Sequence, residues 1–307
     1  MESSADGCLV GVDLGGTKTV AAVVAPNGTV DAHAVAPTPA NDGPDAILAT
    51  VIDLVRRVTS GRSLAAVGVG SAGVVDANRG TIVSSTDALR DWAGTPVADR
   101  LTTALRAPVV VDNDVNAFAY GELVAGAAAG HADVVAVTVG TGVGAGLVLA
   151  GELRHGAHHT AGEIGHLPAL GADDLPCPCG ATGHVEAIAS GVAMERRYAD
   201  ATGDALRLPA IATRARQGDS VAARVIADGA RALGASLAGV VNLLDPEVVV
   251  LGGGVPAIGD SYLAVVREAF RAHLLPGVAN VPILPAALGE HAVAVGAAAL
   301  ARLRLGS

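Results

Sequence analysis

Groups that bind soft metals are concentrated in one segment of the chain, residues 163–186. Two of the three cysteines, Cys177 and Cys179, lie there together with His166 and His184. Thiolates and imidazoles bind zinc tetrahedrally, and four of them complete a structural site. One residue separates the two cysteines, a spacing that rarely permits the dihedral angle of a disulfide. The clustering favours a zinc site of two sulfurs and two nitrogens; the alternative is a polar loop whose thiols only pack.

Two glutamates flank these four ligands. Glu163 lies three residues before His166, and Glu186 lies two residues after His184, where a helix is predicted to begin. If zinc holds one ring nitrogen of His166, the other nitrogen can donate a hydrogen bond. Carboxylates and imidazole pair well with hydroxyl groups. We therefore expect Glu163, His166 and Glu186 to bind a neutral polyhydroxy ligand.

A glycine-rich turn separates two predicted strands within residues 8–24. The turn reads Gly15-Gly16-Thr17-Lys18-Thr19. Glycines let backbone amides approach an anion, and the hydroxyl and ammonium groups add donors for phosphate oxygens. Asp13 ends the first strand and is a hard oxygen ligand that could hold magnesium through water. The turn is not a P-loop, because Thr17 separates Gly16 from Lys18. Taken alone, it fits an ordinary hairpin equally well.

The same plan recurs about 125 residues later in the chain. Residues 134–150 again read as strand, turn and strand, and the turn reads Gly140-Thr141-Gly142-Val143-Gly144. Two such units predict a duplicated architecture with a phosphate loop in each half. A third glycine segment ends a strand predicted at 247–251, and there Gly253 and Gly254 suit contact with a base or ribose. A plain turn explains that segment equally well.

The sequence Asp112-Asn113-Asp114 lies between a predicted strand, 109–111, and a predicted helix, 115–128. A carboxylate at such a junction usually caps the helix, and we expect one of the two aspartates to do so. The other would lie at the carboxyl end of a strand, where ligands bind in open α/β sheets. Asn113 and Asp114 are therefore the candidates for substrate contact.

Gly73 follows another predicted strand, 64–70, and is expected to let the backbone approach a ligand. The stretch Gly68-Val69-Gly70-Ser71-Ala72-Gly73 matches a dinucleotide-binding pattern. That pattern requires a following helix, and residues 74–76 instead lead into a turn. A dinucleotide-dependent dehydrogenase is therefore excluded.

Composition narrows the class of protein further. The chain has 307 residues, 51% of them hydrophobic but 2% aromatic, so its core must be built from Ala, Val and Leu. The formal net charge of -10, from 20 basic and 30 acidic residues, argues against a nucleic-acid partner. Three cysteines, two of them in Cys-Pro-Cys, indicate a reducing compartment rather than a disulfide framework.

No targeting or membrane segment is predicted. The first eight residues carry Glu2 and Asp6 and lack the positive region of a signal peptide. The uncharged run 134–151 is long enough to cross a bilayer, but two strands joined by a glycine turn explain it better. We expect a soluble, cytoplasmic protein with no membrane partner.

Helical spacing of apolar residues predicts most of the remaining elements. Helices are expected at 42–58, 191–200, 209–217, 220–244, 261–274 and 291–303, and a last strand at 281–284. No low-complexity linker divides the chain, so the domain boundary is inferred from the duplication. We predict an N-terminal α/β lobe, 1–120, and a larger lobe, 121–290, with the C-terminal helix 291–307 joining the first.

Taken together, these motifs resemble the ROK family of sugar kinases and repressors. The matches are Asp13-Leu14-Gly15-Gly16-Thr17, Asn113-Asp114, Gly140-Thr141-Gly142, Glu163-Ile164-Gly165-His166 and Cys-x-Cys-Gly-x-x-Gly from Cys177 to Gly183. They occur in the family's order across nearly the whole chain. The resemblance implies a two-lobed, actin-like (ribonuclease H-like) ATPase fold, a zinc ion, and phosphorylation of a hexose by ATP with magnesium. It also implies a homodimer or homotetramer.

The resemblance further implies roles for single residues. Asp114 would be the general base, and the sugar would be bound by Asn113, Glu163, His166 and Glu186. His184 stands where the family usually has a third cysteine, and imidazole is a competent zinc ligand. The loop before Trp92 lacks the asparagine often found there in the family, which leaves the sugar preference open.

Glucose phosphorylated at the 6-OH is the favoured reaction, with Asp114 accepting the hydroxyl proton. Kinases for N-acetylglucosamine, N-acetylmannosamine or fructose are the alternatives, and polyphosphate is an alternative donor. A non-catalytic, sugar-sensing regulator of the same family is the alternative of another class. A DNA-binding repressor is disfavoured, because about eight residues precede the first predicted strand.

Overall fold

The computed structural model describes residues 7–86, 88–304 and 306, and these fall into two units. The first unit contains the described residues up to Ala132, then Gly146–Ala161, and those from Ala286 onward. The second contains Asp133–Ala145 and Gly162–Pro285. Among the described residues, no helix is both long and apolar enough to cross a membrane.

The first unit is built on a five-stranded sheet. Its elements up to residue 125 are β1 (Cys8–Leu14), β2 (Lys18–Val24), β3 (Val30–Pro37), α1 (Gly43–Thr59), β4 (Leu64–Ser71), β5 (Val74–Asp76), β6 (Thr81–Ser84), α2 (Val97–Leu105), β7 (Val109–Asn113) and α3 (Asp114–Ala125). The strand order is β3-β2-β1-β4-β7. The pairs β1–β2 and β2–β3 are antiparallel, whereas β1–β4 and β4–β7 are parallel. Parallel strands place their carboxyl ends at one edge of the sheet.

The second half of the chain repeats this topology. Its elements are β8 (Val134–Val139), β9 (Val143–Leu149), β10 (Glu152–Arg154), α4 (Val185–Ala189), α5 (Gly191–Thr202), α6 (Leu208–Arg216), α7 (Ser220–Leu244), β11 (Val248–Gly252), α8 (Asp260–His273), β12 (Ile283–Pro285) and α9 (Ala292–Arg304). The strand order is β10-β9-β8-β11-β12, with β8–β11 and β11–β12 parallel. Two sheets of one order confirm the predicted duplication, and the division between the units after Ala145 falls inside β9.

Glycines let α3 and α9 pack closely in the first unit. A Cβ on Gly296 would collide with the backbone of Ala117, and one on Gly121 with the backbone of Ala292. This packing keeps all of α3 in the same unit as the C-terminal helix. The boundary predicted after residue 120 would cut α3, and the first unit instead continues to Ala132.

A buried carboxylate reinforces the same contact. Glu122 of α3 is fully buried and accepts hydrogen bonds from the backbone amides of Ala287 and Leu288, at 3.0 Å in each case. It also accepts from the amide of Ala127 at 2.7 Å. Hydrogen bonds to a charged acceptor contribute roughly 1.5–3 kcal/mol each. Glu122 therefore ties the chain before α9 to the helix that begins at Asp114.

Among the elements up to residue 125, β3, β5, β6 and α2 were not predicted. Strand β3 alternates half-buried and exposed residues along its length. The short hairpin of β5 and β6 follows the discarded dinucleotide pattern, and α2 follows Pro96. The turn after β4 thus leads into a strand and not a helix, as expected.

Candidate active site

Several polar residues of the first unit lie at the carboxyl ends of its parallel strands. Leu14 at the end of β1 pairs with Ser71 at the end of β4, and Ser71 pairs with Asn113 at the end of β7. Asp13 and Asp114 are the neighbours of two of these residues in sequence. The sheet register therefore brings Asp13, Asn113 and Asp114 to one edge.

Asn113, rather than an aspartate, caps α3. Its Oδ1 accepts hydrogen bonds from the amides of Val115 at 2.8 Å and Asn116 at 3.1 Å. Its Nδ2 donates to the carbonyl of Gly73 at 3.0 Å. The expectation that Asp112 or Asp114 provides the cap is corrected, because an amide oxygen satisfies the same orphan N–H groups. Its Nδ2 has a second N–H group with which a ligand hydroxyl could pair.

Gly73 needs its particular backbone geometry to receive this bond. Its φ of 102° lies in a region that L side chains rarely adopt, and a Cβ there would come 2.7 Å from the carbonyl oxygen of Ser84. Glycine thus fixes a turn against which the Asn113 amide is oriented.

Asp114 is the first residue of α3 and is half-buried. Its Oδ1 accepts from the amide of Val115 at 3.0 Å. Its position in the first turn places it near the positive end of the helix dipole. A charged carboxylate is the form that can accept a proton.

The electrostatic environment of Asp13 is unusual. The pKa of the Asp13 carboxyl is raised from 3.8 to about 7, chiefly by burial and further by the negative charge of Asp114, while Lys18 opposes the shift. Two acids that repel one another at a strand end form a site that a divalent cation would stabilise. Asp13 therefore fits the role of holding magnesium.

The first glycine turn presents only part of its side chains to solvent. Thr17 and Lys18 are exposed, and the Lys18 ammonium lies 3.6 Å from a Glu290 carboxylate oxygen. Thr19 is fully buried, and its hydroxyl lies 2.8 Å from the Thr38 hydroxyl. Thr38 in turn donates to the carbonyl of Gly15 at 2.7 Å. This placement favours a supporting role for Thr19 over direct phosphate contact.

In the second unit, two glycine segments follow neighbouring parallel strands. Gly252 at the end of β11 pairs with Thr138 near the end of β8, so both segments lie at one edge. Gly253 has a φ of 92°, and the amide of Val255 donates to the carbonyl of Val139 at 2.9 Å. Within the turn, the Gly140 amide donates to the Gly142 carbonyl at 2.9 Å.

One carboxylate oxygen of Glu186 contacts this glycine turn. Its Oε2 accepts a hydrogen bond from the amide of Val143 at 2.9 Å. A Cβ on Gly142 would come 2.5 Å from the same oxygen, so the Glu186 carboxylate would have to shift to admit a side chain there. The sugar-binding role predicted for Glu186 would therefore depend chiefly on its other oxygen.

The four predicted metal ligands lie together. The ligand atoms of His166, Cys177, Cys179 and His184 are all within 4.8 Å of one another. Nδ1 of His166 lies 3.7 Å from the Cys177 sulfur, and Nδ1 of His184 lies 3.3 Å from the Cys179 sulfur. Burial raises the pKa of the Cys177 thiol to about 11, so a cation would have to displace its proton. Two sulfurs and two nitrogens at this spacing fit zinc.

The His166 ring has two differently directed nitrogens. Nδ1 faces the thiols, whereas Nε2 lies 3.6 Å from a Glu163 carboxylate oxygen. Burial raises the pKa of Glu163, His166 opposes the shift, and Glu186 adds to it. The outward nitrogen and the two acids of this unit thus form one polar group that hydroxyls could satisfy.

Sequence reasoning missed two side-chain contacts near the strand ends of the first unit. The buried Asp112 pairs with His155, and Trp92 donates its indole N–H to the Ser71 hydroxyl at 3.1 Å. The Asp-Asn-Asp run signalled Asp112 as a helix cap only. No local sequence pattern indicated His155, because it lies far from Asp112 in the chain.

Known proteins resemble this chain over most of its length. A model of the ROK family matches residues 9–304. A glucokinase from Streptomyces coelicolor is 36% identical, and the alignment covers 96% of this chain and 98% of that protein. An N-acetylgalactosamine kinase from a Shewanella species is 32% identical, with 87% of this chain and 88% of that protein covered.

Solved structures agree in fold. A ROK hexokinase from Thermus thermophilus superposes with a TM-score of 0.87 at 34% identity, over 97% of this chain and 99% of that one. A ROK family glucokinase from Streptomyces griseus, in complex with glucose and AMPPNP, gives 0.84 at 37% identity, over 97% and 100%.

The fold is therefore the actin-like ATPase fold with a duplicated α/β architecture, as the motifs implied. The protein belongs to the class of phosphotransferases that act on sugars. The chain belongs to the ROK family, and it is a glucokinase-like sugar kinase.

Proposed function

We propose that this protein transfers the γ-phosphoryl group of ATP to the 6-OH of a hexose, with glucose the favoured substrate and Asp114 the general base. The observation that carries the proposal is that the charge of Asp114 acts on Asp13 at the strand ends that also hold Asn113. One carboxylate beside a second, metal-holding carboxylate is what phosphoryl transfer to an alcohol requires.

The sugar would be bound by Asn113, Glu163, His166 and Glu186, with the Gly73 turn shaping the approach. Asn113 offers an amide N–H, and Glu163 and His166 offer an acceptor and a ring nitrogen. Hydroxyl groups both donate and accept, so these mixed partners suit a polyol. Binding would orient the reacting hydroxyl toward the Asp114 carboxylate, and Asp114 would take its proton as the bond to phosphorus forms.

The nucleotide would be held by backbone amides of the glycine segments. In the first unit these are Gly15, Gly16, Thr17 and Lys18, supported from below by the buried Thr19. In the second they are Gly140, Thr141 and Gly142 for the phosphates, and Gly253 and Gly254 for the base or ribose. Backbone N–H groups in such turns bind phosphate oxygens without a specific side chain.

Two metal ions complete the proposal. Magnesium, held through Asp13, would neutralise charge on the transferred phosphate. Zinc, held by His166, Cys177, Cys179 and His184, would be structural and would fix the direction of the His166 ring. The cluster of four ligand atoms within 4.8 Å supports the zinc site.

A second candidate function is phosphorylation of an N-acetylated amino sugar. It is favoured by the 32% identity to an N-acetylgalactosamine kinase. Fructose as substrate, polyphosphate as donor, and a non-catalytic sugar-sensing role are the remaining alternatives. A homodimer or homotetramer is the expected assembly, which light scattering would measure.

The test is a panel of sugars. ADP release is measured with ATP and glucose, fructose, N-acetylglucosamine, N-acetylmannosamine or N-acetylgalactosamine, and then with polyphosphate in place of ATP. Glucose 6-phosphate is detected separately with an NADP-linked dehydrogenase that is specific for the 6-phosphate. Glucose should give the highest kcat/KM, and ADP release should equal 6-phosphate formation. A higher kcat/KM for an amino sugar would favour the second candidate, and turnover of none would favour the sensing role.

A further inference from the structure

A histidine of the loop after β10 contacts the junction that carries the proposed base. Nε2 of His155 lies 2.7 Å from Oδ2 of Asp112, and the Asp112 side chain is 2% exposed. His155 itself is partly accessible, with 25% of its side chain exposed. Both residues belong to the first unit and lie 43 positions apart in the chain.

Asp112 connects this histidine to the start of α3. Its other oxygen, Oδ1, accepts from the amide of Asn113 at 2.8 Å and from Nδ2 of Asn116 at 2.9 Å. Asn116 is itself buried in the first turn of the helix. One buried carboxylate thus receives three donors, one from the loop and two from the strand–helix junction.

The geometry links this arrangement to the reacting group. Asn113 and Asn116 lie on either side of Asp114, so the two Oδ1 bonds, one from the Asn113 backbone amide and one from the Asn116 side-chain amide, hold residues on both sides of the proposed base. A buried carboxylate that loses a donor is costly to leave unsatisfied, so it reorients or admits water. Either response would move the residues that Oδ1 holds.

We propose that His155 is a positioning residue, which acts through Asp112 to fix the direction of the Asp114 carboxylate for phosphoryl transfer. This role rests on the proposed function, in which Asp114 is the general base. His155 would not touch the sugar. Its contribution would appear in the rate of the chemical step, because an error of about 1 Å in the position of a catalytic group can cost about 100-fold.

Two substitutions of the same histidine provide the test. In His155→Gln the side-chain amide nitrogen takes the place of imidazole Nε2, so the donor to Asp112 is kept. In His155→Asn the amide nitrogen takes the place of Nδ1 and falls short of Asp112. His158→Ala, an exposed histidine of the same loop, is the matched control.

We expect His155→Asn to lower kcat about 10- to 100-fold, with the dissociation constant for glucose, measured by calorimetry without ATP, changed less than about 3-fold. His155→Gln and His158→Ala should keep kcat within about 3-fold of the wild type. Thermal unfolding is recorded for every variant, and the loss of kcat should not follow Tm across the series. A merely structural contact would instead lower Tm and leave the kcat of the folded fraction intact.

Several results would overturn the role of His155. One is a His155→Asn variant with kcat within about 2-fold of the wild type, and another is a His155→Gln variant no more active than His155→Asn. If His155→Asn does not fold, a folded His155→Gln variant with kcat reduced 10-fold or more would also overturn it. Asp114→Asn, assayed in parallel, separates the two ideas. Full activity of Asp114→Asn removes the base and with it the role of His155, whereas an inactive Asp114→Asn beside an active His155→Asn removes the role of His155 alone.

Discussion

The negative charge of Asp114 acts directly on Asp13, and together with burial it raises the pKa of the Asp13 carboxyl to about 7. These residues are about 100 positions apart in the chain, yet the parallel pairing of β1, β4 and β7 brings their strand ends to one edge. Two acids at one edge suit two different tasks, the binding of a cation and the acceptance of a proton.

Replacement of Asp114 by asparagine should separate binding from catalysis. Asp114→Asn keeps the size of the side chain and the acceptor for the Val115 amide but cannot take up the hydroxyl proton. We expect kcat to fall about 100- to 10,000-fold, with glucose affinity within about 3-fold of the wild type. Activity is followed by coupled ADP release and affinity by calorimetry. Asp31→Asn, at an exposed position on β3, is the control, and an Asp114→Asn enzyme with normal kcat would remove Asp114 from the role of base.

The raised pKa of Asp13 predicts a pH-dependent penalty on stability. The folded state holds this proton up to about pH 7, whereas the ordinary pKa of the carboxyl is 3.8. Between these values the unfolded state binds fewer protons, so the free energy of unfolding falls as the pH rises from about 4 to about 7. Asp13→Asn removes the titrating group. In magnesium-free buffer it should be more stable than the wild type by about 1–3 kcal/mol at pH 8, with a much smaller difference at pH 4.

Denaturant unfolding at several pH values measures this difference directly. Asp31→Asn again serves as the control and should shift stability equally at all pH values. A stability difference between Asp13→Asn and the wild type that does not change with pH would contradict the raised pKa of Asp13. Because Asp13 is proposed to hold magnesium, the same variant should also lose sugar kinase activity.

Zinc should be bound in a one-to-one ratio and lost when a ligand is removed. We expect His166→Ala to lose zinc and to bind glucose at least 10-fold more weakly, because the ring serves both sites. Cys177→Ser should lose zinc as well. Cys8 lies outside the cluster, so Cys8→Ser is the matched cysteine control and should keep the metal. Elemental analysis of the purified variants decides the matter, and stoichiometric zinc in His166→Ala would exclude His166 as a ligand.

The proximity of Gly142 to Glu186 predicts that alanine has a larger effect on kinetics at Gly142 than at Gly239. Gly142→Ala places a methyl group 2.5 Å from Oε2 of Glu186, which must move and weaken its bond to the Val143 amide. We expect kcat/KM for ATP to fall about 10-fold or more. Gly239→Ala is the control, because a Cβ there meets nothing within 4 Å and alanine favours the helix by about 1 kcal/mol. Equal kinetics of the two variants would argue against a role for the Gly142 turn.

The local pattern of apolar residues and glycines predicted much of the fold. The periodicity of apolar residues placed α7 at 220–244, the bounds that the structure gives. The two strand–glycine–strand units predicted both hairpins and, from their recurrence, a duplicated architecture, which the matching strand order of the two sheets confirms. Strand β3 was missed although Val30, Ala32, Ala34 and Ala36 alternate with more exposed residues, because alanine is a weak strand signal.

Part of the candidate site could likewise be predicted from local sequence, and part could not. The zinc ligands could be found from sequence because three of the four lie within eight residues, so chain connectivity keeps them near one another. Which group caps α3 could not be found this way. Asn113, Asp112 and Asp114 can all accept an amide proton, and the Gly73 turn and His155 decide which oxygen faces which donor.

The sequence by itself determined which kinds of groups are available and which of them lie close together along the chain. The tertiary structure decided their partners. Asp112 binds His155 and Glu186 binds the Val143 amide, each across 43 residues, and Thr19 is buried against Thr38. The physical reason is that strand register and loop docking bring such pairs together. A hydrogen bond is made by the donor that packing brings within about 3 Å, and local periodicity carries no information about that distance.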